Sequence, residues 1–352
     1  MSIRDELKSA LIHLNTDSRA FEALALDVFK YQYAHNTVYK RFVDAVGKSP
    51  EMIDRIEKIP FLPIEFFKSR TIVSGHADAQ AVFESSGTTS SNTSRHFVSD
   101  LPLYEILSRK TFEQMYGSLT DYHIFALLPS YLERNNSSLV YMVQNFIYYS
   151  YSQYSGFFLD NTTEMVRKMK KAAKDGRKIL LIGVTFALLD LAEDKESSKI
   201  IRSIAQTQDK LFIMETGGMK GRRREMVREE LHENLQGAFG VNNIHSEYGM
   251  TELLSQGYSK GEGLFQLPST MKVLLREVND PFTYLPHIAI GERKDSFKQK
   301  TGGINVIDLA NIDSCSFIET KDLGVYSDDY ESFRIVGRFD NSDVRGCNLL
   351  VS

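Results

Sequence analysis

The sequence predicts a mixed α/β fold, and three observations carry that expectation. Short β-rich runs at His123-Ile124-Phe125-Ala126-Leu127-Leu128, Ile179-Leu180-Leu181-Ile182 and Leu211-Phe212-Ile213-Met214 alternate with helical stretches. Such an order builds a partly parallel sheet covered by helices. After Pro268 the chain turns mainly to strands, with runs at Met271 to Arg276, Gly303 to Leu309 and Ser316 to Thr320. A length of 352 residues with 42% hydrophobic content is ample to bury a core, which rules out disorder for the bulk of the chain.

In chain order, residues Ile3 to about Val46 carry apolar side chains at helical spacing, as in Phe21, Leu24, Leu26, Phe29 and Tyr33. Amphipathic helices follow from that period. Pro60 and Pro63 then bracket Phe61-Leu62-Pro63-Ile64-Glu65-Phe66-Phe67-Lys68, and two prolines argue for a stiff connection with aromatic anchors. Helices are predicted over Thr163 to Ala173 and Arg222 to Leu235, and the charged run from Gly291 to Lys300 reads as a solvated loop. The domain reading is a helical lead-in over 1–75, an α/β domain over 76–340 and a short segment over 341–352.

The net charge of −4 and pI of about 6.1 give no global electrostatic reason to bind nucleic acid or an anionic membrane. Two cysteines make no disulfide framework and no zinc cluster, so a reducing cytoplasm is the expected setting. The charged start Met1-Ser2-Ile3-Arg4-Asp5-Glu6 lacks the apolar stretch of a signal peptide, and no apolar run reaches the roughly 20 residues that span a bilayer. Cys315 sits in Ser314-Cys315-Ser316-Phe317-Ile318, which reads as a core strand, whereas Cys347 has only five residues after it.

Four segments can carry chemistry. Ser85-Ser86-Gly87-Thr88-Thr89-Ser90-Ser91 crowds small hydroxyls around one glycine after a β-like run. Hydroxyls and free backbone N–H groups on such a turn can donate to phosphate oxygens, although the same string also suits a surface loop. Tyr248-Gly249-Met250-Thr251-Glu252 offers a ring for base stacking, a tight glycine, a hydroxyl and a carboxylate for magnesium, or simply a strand and turn. Thr320-Lys321-Asp322-Leu323-Gly324 is read as a turn whose Asp322 could accept from ribose hydroxyls, and Gly337-Arg338-Phe339-Asp340 sets a cation beside it.

In order and spacing these four segments resemble the phosphate, adenine and magnesium, ribose, and hinge motifs of the adenylate-forming enzymes. Within that superfamily the chain is most similar to the acyl-protein synthetase (LuxE) family. Phe61-Leu62-Pro63-Ile64, Leu128-Pro129-Ser130-Tyr131-Leu132-Glu133-Arg134 and Thr216-Gly217-Gly218-Met219-Lys220-Gly221 add to the likeness. The resemblance implies the large N-terminal-type domain of those enzymes, with mixed sheets. Only 12 residues follow Asp340, so no full mobile C-terminal domain is expected and CoA ligation by domain rotation is disfavoured.

By resemblance, ATP and Mg²⁺ are the expected cofactors, a carboxylic acid of the fatty class is the expected substrate, and an acyl-reductase or acyl-carrier protein is the partner implied. Ser85, Ser86, Gly87, Thr88, Thr89, Tyr248, Gly249, Asp322 and Arg338 would bind the nucleotide. Glu252 would hold the metal, with Thr251 and Lys220 assisting, and Cys347 would receive the acyl group as a thioester. A thiolate is a strong nucleophile toward a reactive mixed anhydride, which makes that last role chemically reasonable; a closing-strand role for Cys347 stays open. Two rivals remain: a phenylacetate-type ligase donating to CoA or a carrier protein, and a nucleotide-binding subunit without turnover. Arg222-Arg223-Arg224 reads as a solvated face, and His245 as a hydrogen-bonded strand-end histidine.

Overall fold

The computed structural model describes residues 2–76, 78–85, 93–129, 136–207, 210–217, 226–285, 300–327 and 332–339. The chain opens with α1 (Ile3–His13), α2 (Ser18–His35) and α3 (Thr37–Ala45). Each start is encoded locally: Ser2 and Asp5 form a reciprocal capping box, and the Asp17 and Asn36 side chains accept backbone N–H bonds at the next two starts. Strand β1 (Leu62–Pro63) and the four-residue helix α4 (Phe66–Ser69) occupy the proline-bracketed connection, with Phe61 and Phe67 buried as its anchors.

A hairpin of β2 (Ala81–Glu84) and β3 (Arg95–Val98) follows, then α5 (Leu101–Tyr116), capped by Asp100. The alternating region supplies β4 (Tyr122–Leu127), α6 (Ser138–Tyr149), β5 (Gly156–Phe157), α7 (Thr162–Ala172), β6 (Lys178–Gly183), α8 (Thr185–Glu193), α9 (Lys195–Thr207), β7 (Leu211–Glu215), α10 (Arg228–Phe239) and β8 (His245–Tyr248). Gly240 ends α10 in the left-handed region at φ 70°, where a side chain would be strained. The remainder is β9 (Gly257–Ser259), β10 (Phe265–Gln266), β11 (Met271–Arg276), β12 (Gly302–Asp308), β13 (Phe317–Tyr326) and β14 (Phe333–Arg338).

These strands form one sheet in the order β11-β12-β13-β14-β10-β9-β8-β7-β6-β4-β5, with β1 added in parallel to β13. From β5 to β8 every pairing is parallel, and from β8 through β9 to β11 every pairing is antiparallel. All six residues of β4 are buried, as in parallel strands covered on both faces, and from Ile124 to Leu127 the strand is apolar throughout, while the buried His123 is paired with Ser152 and Asp175.

Three expectations need correction. Thr320 to Gly324 is not a turn: it lies inside the ten-residue β13, where a register shift between Leu323 and Gly324 accommodates the glycine. Cys315 does not lie in a strand but in the segment before β13, fully buried, and burial pushes its thiol up to about 12. The described part of α10 begins at Arg228 rather than Arg222; residues 222–225 lie outside the described residues, as does most of the charged loop at 291–300.

The N-terminal helices are tied to the segment before β13 by polar contacts. The Arg4 guanidinium donates to both oxygens of Asp313 at 2.6 and 2.7 Å, and Lys8 donates to Asp313 at 2.8 Å and to Asp100 at 2.7 Å. Gln32 donates to the carbonyls of Asn311 and Ile312 and accepts from the Ser316 N–H. Lys8 is buried, so removing its carboxylate partners leaves a desolvated ammonium. Asp313→Ala is expected to lower the unfolding free energy by about 3 kcal/mol in a urea titration.

Candidate functional site

The site is built where the parallel half of the sheet meets the antiparallel half, outside the carboxyl ends of the parallel strands, the region where open α/β sheets bind ligands. Strand β8 is the last parallel strand, and the loop from Gly249 to Gln256 leaves its end. That loop is held by side chains from distant elements. Asp308, at the end of β12 and fully buried, accepts at one oxygen from Leu254 N–H (2.7 Å) and Ser255 N–H (2.9 Å), and at the other from Ser255 Oγ (2.7 Å) and Ala310 N–H (3.0 Å). Burial pushes its carboxyl above the usual carboxylate range, against the pull of those donors.

Two more groups fix the loop upstream. Asn311 Nδ2 donates to the Glu252 carbonyl at 2.8 Å, and His96 Nδ1 lies 2.8 Å from the Thr251 carbonyl. Burial pushes His96 down to about 4, so the ring is neutral and Nδ1 carries the proton it donates.

Glu252 is thereby placed with its carboxyl buried beside the Ser94 hydroxyl, which hydrogen-bonds it. Burial pushes the carboxyl up; Ser94 and the charges of Lys68 and Arg338 act the other way. Ser94 in turn closes the base of the β2–β3 hairpin, since Ser85 N–H donates to its carbonyl at 3.1 Å and Ser85 Oγ accepts from its N–H at 2.9 Å. The start of the hydroxyl-rich segment therefore stands beside Glu252. Ser86, Gly87, Thr88 and Thr89 lie outside the described residues, as do Lys220, Glu133, Arg134 and Cys347.

Tyr248, Asp322 and Arg338 also come together. The Tyr248 hydroxyl donates to Asp322 Oδ2 at 3.1 Å, and Arg338 Nε lies 3.1 Å from Asp322 Oδ1. Asp322 and Arg338 are register partners across β13 and β14, so the pairing follows from the sheet. Burial pushes the Asp322 carboxyl up, with Arg338, Tyr248 and Arg228 opposing. The Arg338 side chain is 70% exposed, leaving most of its guanidinium open to solvent.

Sequence reasoning missed several of these groups. Glu215, at the end of β7, is buried and accepts from Gly217 N–H at 2.7 Å, with Arg228 Nε at 3.3 Å and His232 Nε2 at 3.7 Å. Although burial pushes it up, His232, Arg228, Ser246 and the Gly217 N–H hold its carboxyl below the usual range. A carboxylate ending a buried strand just before Thr216-Gly217 was the available signal. For Asp308, His96 and Asn311 no local signal exists. His245 meets the Tyr116 hydroxyl at 3.2 Å on the face covered by α5, and its burial pushes it down to about 4.

Among the described residues no group of three or more His, Cys, Asp or Glu side chains could hold a metal ion, and no helix is long and apolar enough to cross a membrane. A site built around one buried carboxylate suits Mg²⁺, which uses one or two protein carboxylates and takes its other ligands from phosphates and water.

The fold and this convergence define an α/β protein with a polar site at the junction of the two halves of its sheet. Over residues 8–352 the sequence matches the family described as "Acyl-protein synthetase, LuxE". The chain belongs to that family. No curated protein matches it in sequence. Similar solved structures include a malonyl-CoA ligase ternary product complex with methylmalonyl-CoA and AMP, at 17% identity and TM-score 0.48 over 75% of this chain and 53% of that one. An anthranilate CoA ligase in complex with anthranoyl-AMP has 15% identity and TM-score 0.49, over 75% of this chain and 48% of that one. McyG A-PCP complexed with phenylalanyl-adenylate has 14% identity and TM-score 0.47, over 84% and 51%. The chain thus spans about half the length of the structures it resembles.

In either orientation of its amide, Asp308→Asn would turn an NH₂ group toward a backbone N–H donor, those of Leu254 and Ser255 or that of Ala310. The expected loss is about 2 kcal/mol of unfolding free energy, read from a urea titration.

Proposed function

We propose that the protein activates a carboxylic acid with ATP as an acyl adenylate and passes the acyl group to a protein thiol. Family membership supports the reaction class, and one observation carries the reading to this site: Glu252, Ser94, Tyr248, Asp322 and Arg338 converge from four separated segments on the ends of the parallel strands.

In the first step a carboxylate oxygen of the substrate attacks the α-phosphorus of ATP; an O–P bond forms and the bond to pyrophosphate breaks. Little covalent work falls to the protein, so positioning and charge neutralisation dominate. Bound Mg²⁺ would neutralise phosphate charge. Glu252 is the residue to hold it, with the hydroxyls of Ser86, Thr88 and Thr89 and the Gly87 backbone proposed at the phosphates and Thr251 and Lys220 assisting. Asp322, oriented by the Tyr248 hydroxyl, would accept from ribose hydroxyls, and Arg338 balances its charge. In the second step a thiolate attacks the acyl carbon and AMP leaves; Cys347 is the proposed acceptor, and a fatty acid the proposed substrate. A reductase that consumes the thioester, or an acyl-carrier protein, would be the partner.

Glu252→Gln is expected to reduce acid-dependent pyrophosphate exchange by at least about 100-fold, in line with loss of one electrostatic stabiliser, while leaving the thermal midpoint near that of the wild type. Intact exchange in that variant would overturn the metal assignment. Cys347→Ser is expected to keep exchange and abolish covalent acylation of the chain, read by intact-protein mass spectrometry. Full acylation of that variant would assign the acceptor elsewhere.

A further inference from the structure

Strand β8 divides its side chains between two faces, and only one of them is accounted for by the nucleotide reading. Ser246 and Tyr248 point toward α10 and Asp322, where Ser246 Oγ meets His232 and Tyr248 meets Asp322. His245 and Glu247 point to the opposite face, under α5. There Glu247 is the register partner of Tyr258 on β9, so the two side chains stand next to each other. Gln256 lies two residues before Tyr258 and therefore on the same face; its Cγ is 3.6 Å from where a β-carbon of Gly249 would stand. A β-carbon there would also overlap Oε1 of Glu247, so the Glu247 carboxyl lies over the Gly249 α-carbon, toward the carboxyl end of the strand.

All three residues are at least nine-tenths buried: Glu247 is 9% exposed, Gln256 3% and Tyr258 1%. Among the described residues Tyr258 Oη and Gln256 Oε1 are buried and have no hydrogen-bond partner, and no hydrogen bond reaches the Glu247 carboxyl. Burial, then the charge of Glu215, pushes Glu247 up to about 8, so the carboxyl is mostly neutral at pH 7. The neighbouring rings are otherwise engaged: Tyr104 donates to the Ser138 carbonyl, and Tyr116 meets His245. Each buried, unpaired polar group carries a desolvation cost, and two such atoms gathered with a desolvated carboxyl on one face beside the Gly249 turn call for a common partner.

The geometry points to a subsite, formed by Glu247, Gln256 and Tyr258, that receives a hydrogen-bond-donating substituent of the acid substrate, an amino or a hydroxyl group. Gln256 Oε1 can only accept and so requires a donor, while the Tyr258 hydroxyl and the protonated Glu247 carboxyl can accept from the same substituent or donate to its lone pairs. A purely hydrocarbon chain would leave them unpaired, and a site built to hydrogen-bond a substituent discriminates strongly against an analogue that lacks it. The subsite rests on the adenylating reading and narrows it: nucleotide on the Tyr248 face, acid substituent on the Glu247 face, and Gly249 between them with no side chain to block either.

The test is acid-dependent pyrophosphate exchange by the full chain with three series of acids matched in chain length: unsubstituted, hydroxy-substituted and amino-substituted. In the wild type, kcat/KM for one donor-bearing series is expected to exceed the unsubstituted series by at least about tenfold. That ratio is expected to fall to near one in Glu247→Leu and severalfold in Tyr258→Phe, which keeps the buried ring. Reading the ratio within each variant cancels any general loss of folded protein. A wild type indifferent to the substituent, or variants that lose activity with an unchanged ratio, would overturn the subsite. If no acid supports exchange, the adenylating reading fails separately, and thermal stabilisation by the same acids without ATP decides the subsite. A donor-bearing acid that raises the Tm of the wild type but not of Tyr258→Phe supports it; equal or absent shifts overturn it.

Discussion

The buried carboxylate of Asp308 is the constraint on which the site depends. It comes from the antiparallel half of the sheet, yet it ties down the loop that leaves the last parallel strand, by way of the Leu254 and Ser255 N–H groups. A loop at the carboxyl end of a strand ordinarily has backbone groups that water must satisfy. Here Asp308, Asn311 and His96 satisfy them from within, so Thr251 and Glu252 are presented by backbone whose carbonyls are already committed. Preorganisation of this kind lowers what must be ordered when a charged ligand arrives.

Burial is the common electrostatic theme. Glu247, Glu252, Asp308 and Asp322 all have carboxyls pushed up by desolvation, within a short reach of β8. Their partners differ, and so do their consequences. Asp308 gives three of its four accepted bonds to the loop and the fourth to Ala310 N–H, Asp322 shares a tyrosine hydroxyl and an exposed arginine, Glu252 has one serine, and Glu247 has no hydrogen bond among the described residues. The least satisfied acids are those nearest the places where substrate would bind, which is where buried polar groups without partners acquire functional meaning.

Much of the architecture is legible in the chain. The runs at Ile124 to Leu128 and Ile179 to Ile182 are apolar throughout because both faces are covered, and the N-terminal helices announce themselves through period and caps. Thr320 to Gly324 misleads because Lys321, Asp322 and Gly324 within four positions look like a turn. In the folded sheet Asp322 is paired across to Arg338, and the bulge at Leu323 and Gly324 absorbs the glycine. Local propensity loses there to pairing on both sides.

The α/β class, the family and the residue types of the four candidate segments are legible from the chain alone, because each rests on local spacing that survives without knowledge of neighbours. Only the tertiary structure decided which of them meet. Tyr248 and Asp322 are 74 residues apart and β14, β10 and β9 lie between their strands in the sheet, yet the Tyr248 hydroxyl reaches the Asp322 carboxylate. Glu247, Gln256 and Tyr258 look unremarkable in the chain and become a cluster through the register of β8 on β9. Burial, the property that gives these acids their chemistry, belongs to the packed whole and to no segment of the chain.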